Sequence, residues 1–204
     1  MSSLAVEPRA TEPVFSSDQI LRSINIVFDA DYPERISHFF PTTKTINLLT
    51  QLLGDSNSSG RFVVAPYGSG KSLVASFYQQ IIENRSDVVQ VLRPVIDRVR
   101  AIDETLHSLI RDRTGADNMI RLTGVVVPLS GYVSNLPEAL HQGLQQSARR
   151  LGDEELQSLL SDHQPTTMDE AIAVLTRIRE THGGSRFDHL DILWDEFGRH
   201  LEEI

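Results

Sequence analysis

Cysteine is missing from all 204 residues, which excludes disulfides and thiolate metal sites. Lysine is nearly missing: Lys44 and Lys71 stand beside seventeen arginines. An excess of positive charge is missing as well, since the formal net charge is −9, and bulk electrostatic binding to nucleic acid needs a clustered basic face. The most arginine-rich stretch, 85–121, sets seven arginines against six carboxylates, the balance of a solvated helix face and not of a phosphate track. No direct nucleic-acid partner is therefore expected. No apolar run approaches the ~20 residues that cross a bilayer. The start, Met1-Ser-Ser-Leu-Ala-Val-Glu-Pro8, lacks the basic region and apolar stretch of a secretory signal. A cytoplasmic location without a membrane partner is the expectation. The seven histidines form no i, i+4 pair, so a protein-imidazole metal site has no support. Ser130 lacks the G-x-S-x-G setting of a nucleophile elbow.

What is present is an ordinary globular composition, 40% hydrophobic and 23% charged, and a length that suits one domain with or without appendages. Residues 1–16, with Pro8, Pro13 and several serines, read as a flexible tail. The span 17–60 reads as a lead-in: a short helix and an extended stretch up to Phe40, a helix over about 43–53 with Ile46, Leu49, Leu52 and Leu53 on one face, and a loop over 55–60. The core is assigned to 61–204. There the expected elements are a strand at 61–65, a helix after Lys71, and a helical stretch from Val88 to Ile102 interrupted by Pro94. A buried strand follows at 122–129, then helices at 136–151, 156–160 and 168–178, and a last strand at 189–194. Helices alternating with apolar strands imply an α/β fold with a parallel sheet.

The densest signal lies at Arg61-Phe-Val-Val-Ala-Pro-Tyr-Gly-Ser-Gly-Lys-Ser72. An apolar strand runs into a glycine-rich turn, then a lysine and a hydroxyl, then an amphipathic helix, the arrangement that cradles nucleotide phosphates. The candidate cofactor-binding residues are Ala65, Pro66, Tyr67, Gly68, Ser69, Gly70, Lys71, Ser72 and Leu73. Gly68 and Gly70 allow conformations and close approaches that a Cβ blocks. The amides of 68–72 are expected to point inward as an anion nest. Lys71 carries positive charge to the outer phosphates, and Ser72 is the expected hydroxyl ligand of Mg²⁺. Further along, Leu190-Asp-Ile-Leu-Trp-Asp-Glu196 ends an apolar strand in two adjacent carboxylates. Asp195 is assigned to Mg²⁺ and Glu196 to polarising the attacking water. Asp191 within the strand and Asp188, placed in the loop before it, receive no catalytic role; by alternation Asp191 faces away from Glu196's neighbourhood.

These two motifs resemble the Walker A and Walker B elements of additional-strand, catalytic-glutamate P-loop ATPases, the group containing the AAA and STAND-like families. The blocks His38-Phe-Phe-Pro-Thr42, Val125-Val-Val-Pro-Leu-Ser-Gly131 and Trp194-Asp-Glu-Phe-Gly-Arg199 extend the resemblance to large bacterial ATPases of anti-phage and DNA-restriction operons. The resemblance implies a three-layer parallel-sheet P-loop core, ATP and Mg²⁺ as ligands, and a segment at Phe39–Thr42 near the adenine. Such a core has five parallel strands, with another strand between those of Walker A and Walker B, whereas three are legible here. The expectation is an N-terminal portion whose sheet is completed by more of a longer polypeptide or by a partner, with a homo-oligomer as a further option. Arg199 follows Glu196 too closely to be assigned as an arginine finger by spacing. The leading expectation is an ATPase module. Its rival is a nucleotide-gated scaffold or switch with little turnover. A small-molecule kinase fits less well, because adjacent Asp195 and Glu196 are the pairing of water activation.

Overall fold

A computed structural model describes residues 24–54, 60–66, 68–114, 123–162, 164–184 and 186–203. The tail expected over 1–16, the loop at 55–59 and the first part of the lead-in lie outside these residues, as do Tyr67, Leu122, His163 and Ser185. Two strands, β1 (Thr123–Ser130) and β2 (Phe187–Asp195), form a parallel sheet. Their register runs from Thr123 opposite Phe187 to Ser130 opposite Asp195, with an irregularity at the first step. Eight helices are described: α1 (Thr43–Gly54), α2 (Lys71–Glu83), α3 (Val89–Ile102), α4 (Glu104–Thr114), α5 (Leu136–Leu151), α6 (Glu154–Ser161), α7 (Met168–His182) and α8 (Phe197–Glu202). A 3-10 helix spans Pro33–His38. The fold is α/β, predominantly helical, with helices on both faces of the sheet.

The two faces own separate cores. Val126 of β1 and Leu193 of β2 join α1–α4 in one cluster centred on Phe77, Ile81, Leu92 and Leu106. Val125, Val127 and Leu129 turn the other way and pack with Leu140, Leu144, Leu156 and Ile178 of α5–α7. This is period-two alternation in a strand buried on both sides, which is why 123–130 reads as a continuous apolar run. Two glycines set how closely the helices approach. A Cβ on Gly124 would stand 2.2 Å from Ile82 Cγ2, and one on Gly143 would stand 2.6 Å from Val127 Cγ1.

The local start and stop signals act as their chemistry requires. Thr167 and Glu170 make a reciprocal capping box for α7, Asp153 caps α6, and Gly152 ends α5 in the left-handed region. Helix α3 runs from Val89 to Ile102 with Pro94 inside it.

Three expectations need correction. Residues 61–65 join no strand ladder among the described residues; Phe62 is 81% exposed and Val64 95%. Their β-branched and aromatic composition favours an extended chain, but a strand also needs a hydrogen-bonded neighbour, and none is present here. Asp188 lies within β2 and pairs with Arg113 of α4, where a loop was expected. Ser130, expected just past its strand, is the last residue of β1. Helices α4 and α8 were not anticipated at all.

Candidate functional site

Helix α2 lies antiparallel to the strands. Ile82, near its C-terminus, meets Gly124 at the start of β1, and the Tyr78 hydroxyl donates to Asp191 Oδ2 at 2.9 Å in the middle of β2. From Tyr78 back to Ser72 is about 9 Å along a helix. From Asp191 forward to Asp195 is about 13 Å along a strand. Both paths lead to the carboxyl edge of the sheet, where ligands of parallel α/β folds bind. Asp191, Leu193 and Asp195 share the face turned toward α2, since Asp191 bonds Tyr78 and Leu193 packs in the α2 core. Ser130, opposite Asp195 in register, lies on the same face of β1 as Val126. The glycine-led start of α2 and the Asp195–Glu196 pair are thus brought to one end of the molecule.

At the glycine turn, Gly68 (φ 75°) and Gly70 (φ 86°) both sit in the left-handed region, and an added Cβ would meet open space at either. The glycines are there for their backbone, as the sequence implied. Among the described residues no side chain caps α2 at Gly70, which leaves the amides of its first turn open to an outside acceptor. The Ser69 N–H differs from expectation: it donates to Pro66 O at 3.3 Å, inside the turn. Lys71 Nζ donates to Ala65 O at 2.7 Å and Pro66 O at 3.0 Å, folding back over the loop. Ser72 and Leu73 are half-buried in the first turn of α2. Tyr67 lies outside the described residues.

On the other side, Asp195 Oδ1 accepts the Glu196 N–H at 2.9 Å. Glu196 is left-handed at φ 55°, one of two described non-glycine residues with positive φ, a conformation that costs of order 1 kcal/mol and clusters at functional sites. Its carboxylate, partly exposed, pairs with Arg199 at 3.3 Å. The neighbouring turn mirrors it: Gly131 (φ 64°) donates its N–H to Asp195 O at 2.9 Å, and its carbonyl accepts the Trp194 indole N–H at 3.0 Å. Trp194 stands edge-on to Phe197 at 4.8 Å and beside His200 at 4.6 Å. The Phe62 ring lies 5.7 Å from Phe197, which ties the segment before the glycine turn to the residue after Glu196.

The Phe39–Thr42 block divides. Phe39 is buried against Phe77, 5.4 Å between ring centres, whereas Phe40 is exposed beneath the Arg98 guanidinium at 4.6 Å.

Sequence reasoning missed Tyr78 and the Trp194–Phe197–His200 cluster, and it named Asp191 and Arg199 without giving either a role. Only Asp191 carried a usable signal, a carboxylate two and four residues before Leu193 and Asp195 on one strand face. Among the described residues no helix is long and apolar enough to cross a membrane. In comparison with known proteins, the chain matches no family model, no curated protein and no solved structure.

Proposed function

We propose that this chain binds ATP with Mg²⁺ at residues 65–73 and serves as the ATPase module of a larger P-loop assembly. The observation that supports the reading most is the antiparallel run of α2 against β2. It carries a glycine turn with uncapped amides and an acidic pair to the same carboxyl edge of a parallel sheet. The residues fit the ligand: left-handed glycines with open space above them, an ammonium group, a hydroxyl and a carboxylate. Lys71 would exchange its two carbonyl acceptors for phosphate oxygens, a stronger, charge-assisted pairing. Ser72 and Asp195 would hold the metal, which when bound offsets the charge of the outer phosphates. Glu196 would orient and polarise the attacking water, while Lys71 and the loop amides stabilise charge on the transferring phosphoryl group. A cytoplasmic setting and a role in anti-phage defence or DNA processing belong to the same proposal.

The 61–65 segment, which joins no ladder among the described residues, supports a further part of it. A run outside any ladder, with Phe62 and Val64 in solvent and the Phe62 ring 5.7 Å from Phe197 just past β2, is a place for an added strand from a longer polypeptide or a partner. A three-layer P-loop core would arise in that completed state. The rival reading, a nucleotide-gated switch with little turnover, is favoured by one contact: the Glu196 carboxylate is engaged by Arg199.

Isothermal calorimetry with ATP in magnesium buffer tests the binding. Lys71→Ala is expected to weaken affinity by at least tenfold, since a charged phosphate contact is worth about 1.5–3 kcal/mol. Phosphate release that vanishes in Glu196→Gln while binding persists marks the ATPase. Binding without release in the unaltered chain marks the switch, and a flat wild-type isotherm ends both.

A further inference from the structure

The middle of β2 places a carboxylate where an apolar side chain is the ordinary choice. Asp191 faces α2 between His189 and Leu193, and its acceptor Oδ2 takes the Tyr78 hydroxyl at 2.9 Å, with His189 Nδ1 at 4.0 Å. Tyr78 itself is buried. The buried Tyr78 hydroxyl is satisfied only while it stays aligned with the half-buried Asp191 carboxylate, because on losing that acceptor it does not regain water. Unlike the surrounding aliphatic contacts, a hydrogen bond tolerates little sliding. It therefore fixes the axial position of α2 relative to β2, and those are the two elements that carry Lys71 and Ser72 on one side and Asp195 on the other.

We propose that the Tyr78–Asp191 bond is a positioning device: it sets the alignment at which Ser72 and Asp195 can together engage the magnesium of a bound nucleotide. This rests on the ATP·Mg²⁺ reading above. The device acts on the metal and not on phosphate capture, since Lys71 and the loop amides belong to one contiguous segment and move with α2 as a unit.

The test compares ATP affinity by calorimetry in excess Mg²⁺ and in EDTA, with folding checked by circular dichroism. Tyr78→Phe and Asp191→Leu are expected to weaken binding in Mg²⁺ by about three- to tenfold, the loss of one hydrogen bond, and to leave binding in EDTA unchanged. Asp191→Asn keeps an oxygen that can accept the phenol proton and should restore the wild-type ratio. The proposal is overturned if Tyr78→Phe leaves both affinities intact, if it weakens them equally, or if Asp191→Asn fares as badly as Asp191→Leu. A wild type that binds in neither buffer, or equally in both, removes the ATP·Mg²⁺ reading itself and the device with it.

Discussion

At the scale of single residues, Tyr78 also leaves a mark on stability. Burial, then the nearby Asp191 charge and the bond to it, push the phenol's pKa well above its ordinary 10. A raised folded-state pKa means that the native state holds its proton while the unfolded chain releases it. The stability this contributes is complete below about pH 10 and is lost as pH climbs toward the folded value, at up to about 1.4 kcal/mol per pH unit. Urea melts between pH 9 and 11 should show that decline, and Tyr78→Phe should flatten it. How far single residues were legible follows the same physics. Gly68, Gly70, Lys71 and Ser72 announced themselves because backbone conformation and charge are local properties. The spacing of Asp191 showed only that it shares a strand face with Leu193 and Asp195; its partner is a tyrosine 113 positions earlier, a relation that no local pattern encodes.

At the scale of elements, the far end of α2 is held by a different chemistry. Glu83, its last residue, is fully buried and receives Arg150 of α5 through Nε at 2.9 Å and Nη2 at 2.6 Å, with Gln79 Nε2 adding a bond at 3.1 Å. Arg150 Nη1 stands 3.6 Å from Asp31 of the lead-in. The bridge joins helices from opposite faces around the amino edge of the sheet. Removing one partner strands a buried charge, so Arg150→Met is expected to cost about 3–5 kcal/mol, while Glu83→Leu with Arg150→Met should recover most of that. Denaturant midpoints of the three proteins give the comparison. Most helices were readable from apolar period and caps, α5 to the residue. Helix α4 was not, because its outward face is polar and only Leu106 and Ile110 are buried. The 61–65 stretch failed for the converse reason. Its conformational preference is strong, but pairing is a property of neighbours, and the described chain supplies none.

At the scale of the whole molecule, two helical layers meet, among the described residues, on a sheet of two strands, which is narrow for a fold whose glycine turn follows a segment outside that sheet. An exposed apolar edge invites pairing with another chain. The protein is therefore expected to self-associate with rising concentration, and Val64→Lys should suppress that in sedimentation velocity runs. Because Val64 is 95% exposed, the substitution should shift stability by no more than about 0.5 kcal/mol. An unchanged association pattern would place the contact elsewhere.

The chain contains a single tryptophan, Trp194, and it adjoins Asp195, leans on Phe197 and His200, and grips the turn at Gly131. All native indole emission thus originates one peptide bond from Asp195 and two from Glu196. Any rearrangement of that corner, whether by ligand, metal or an incoming strand, is reported optically by the unlabelled protein, with no competing chromophore of its kind to dilute the signal.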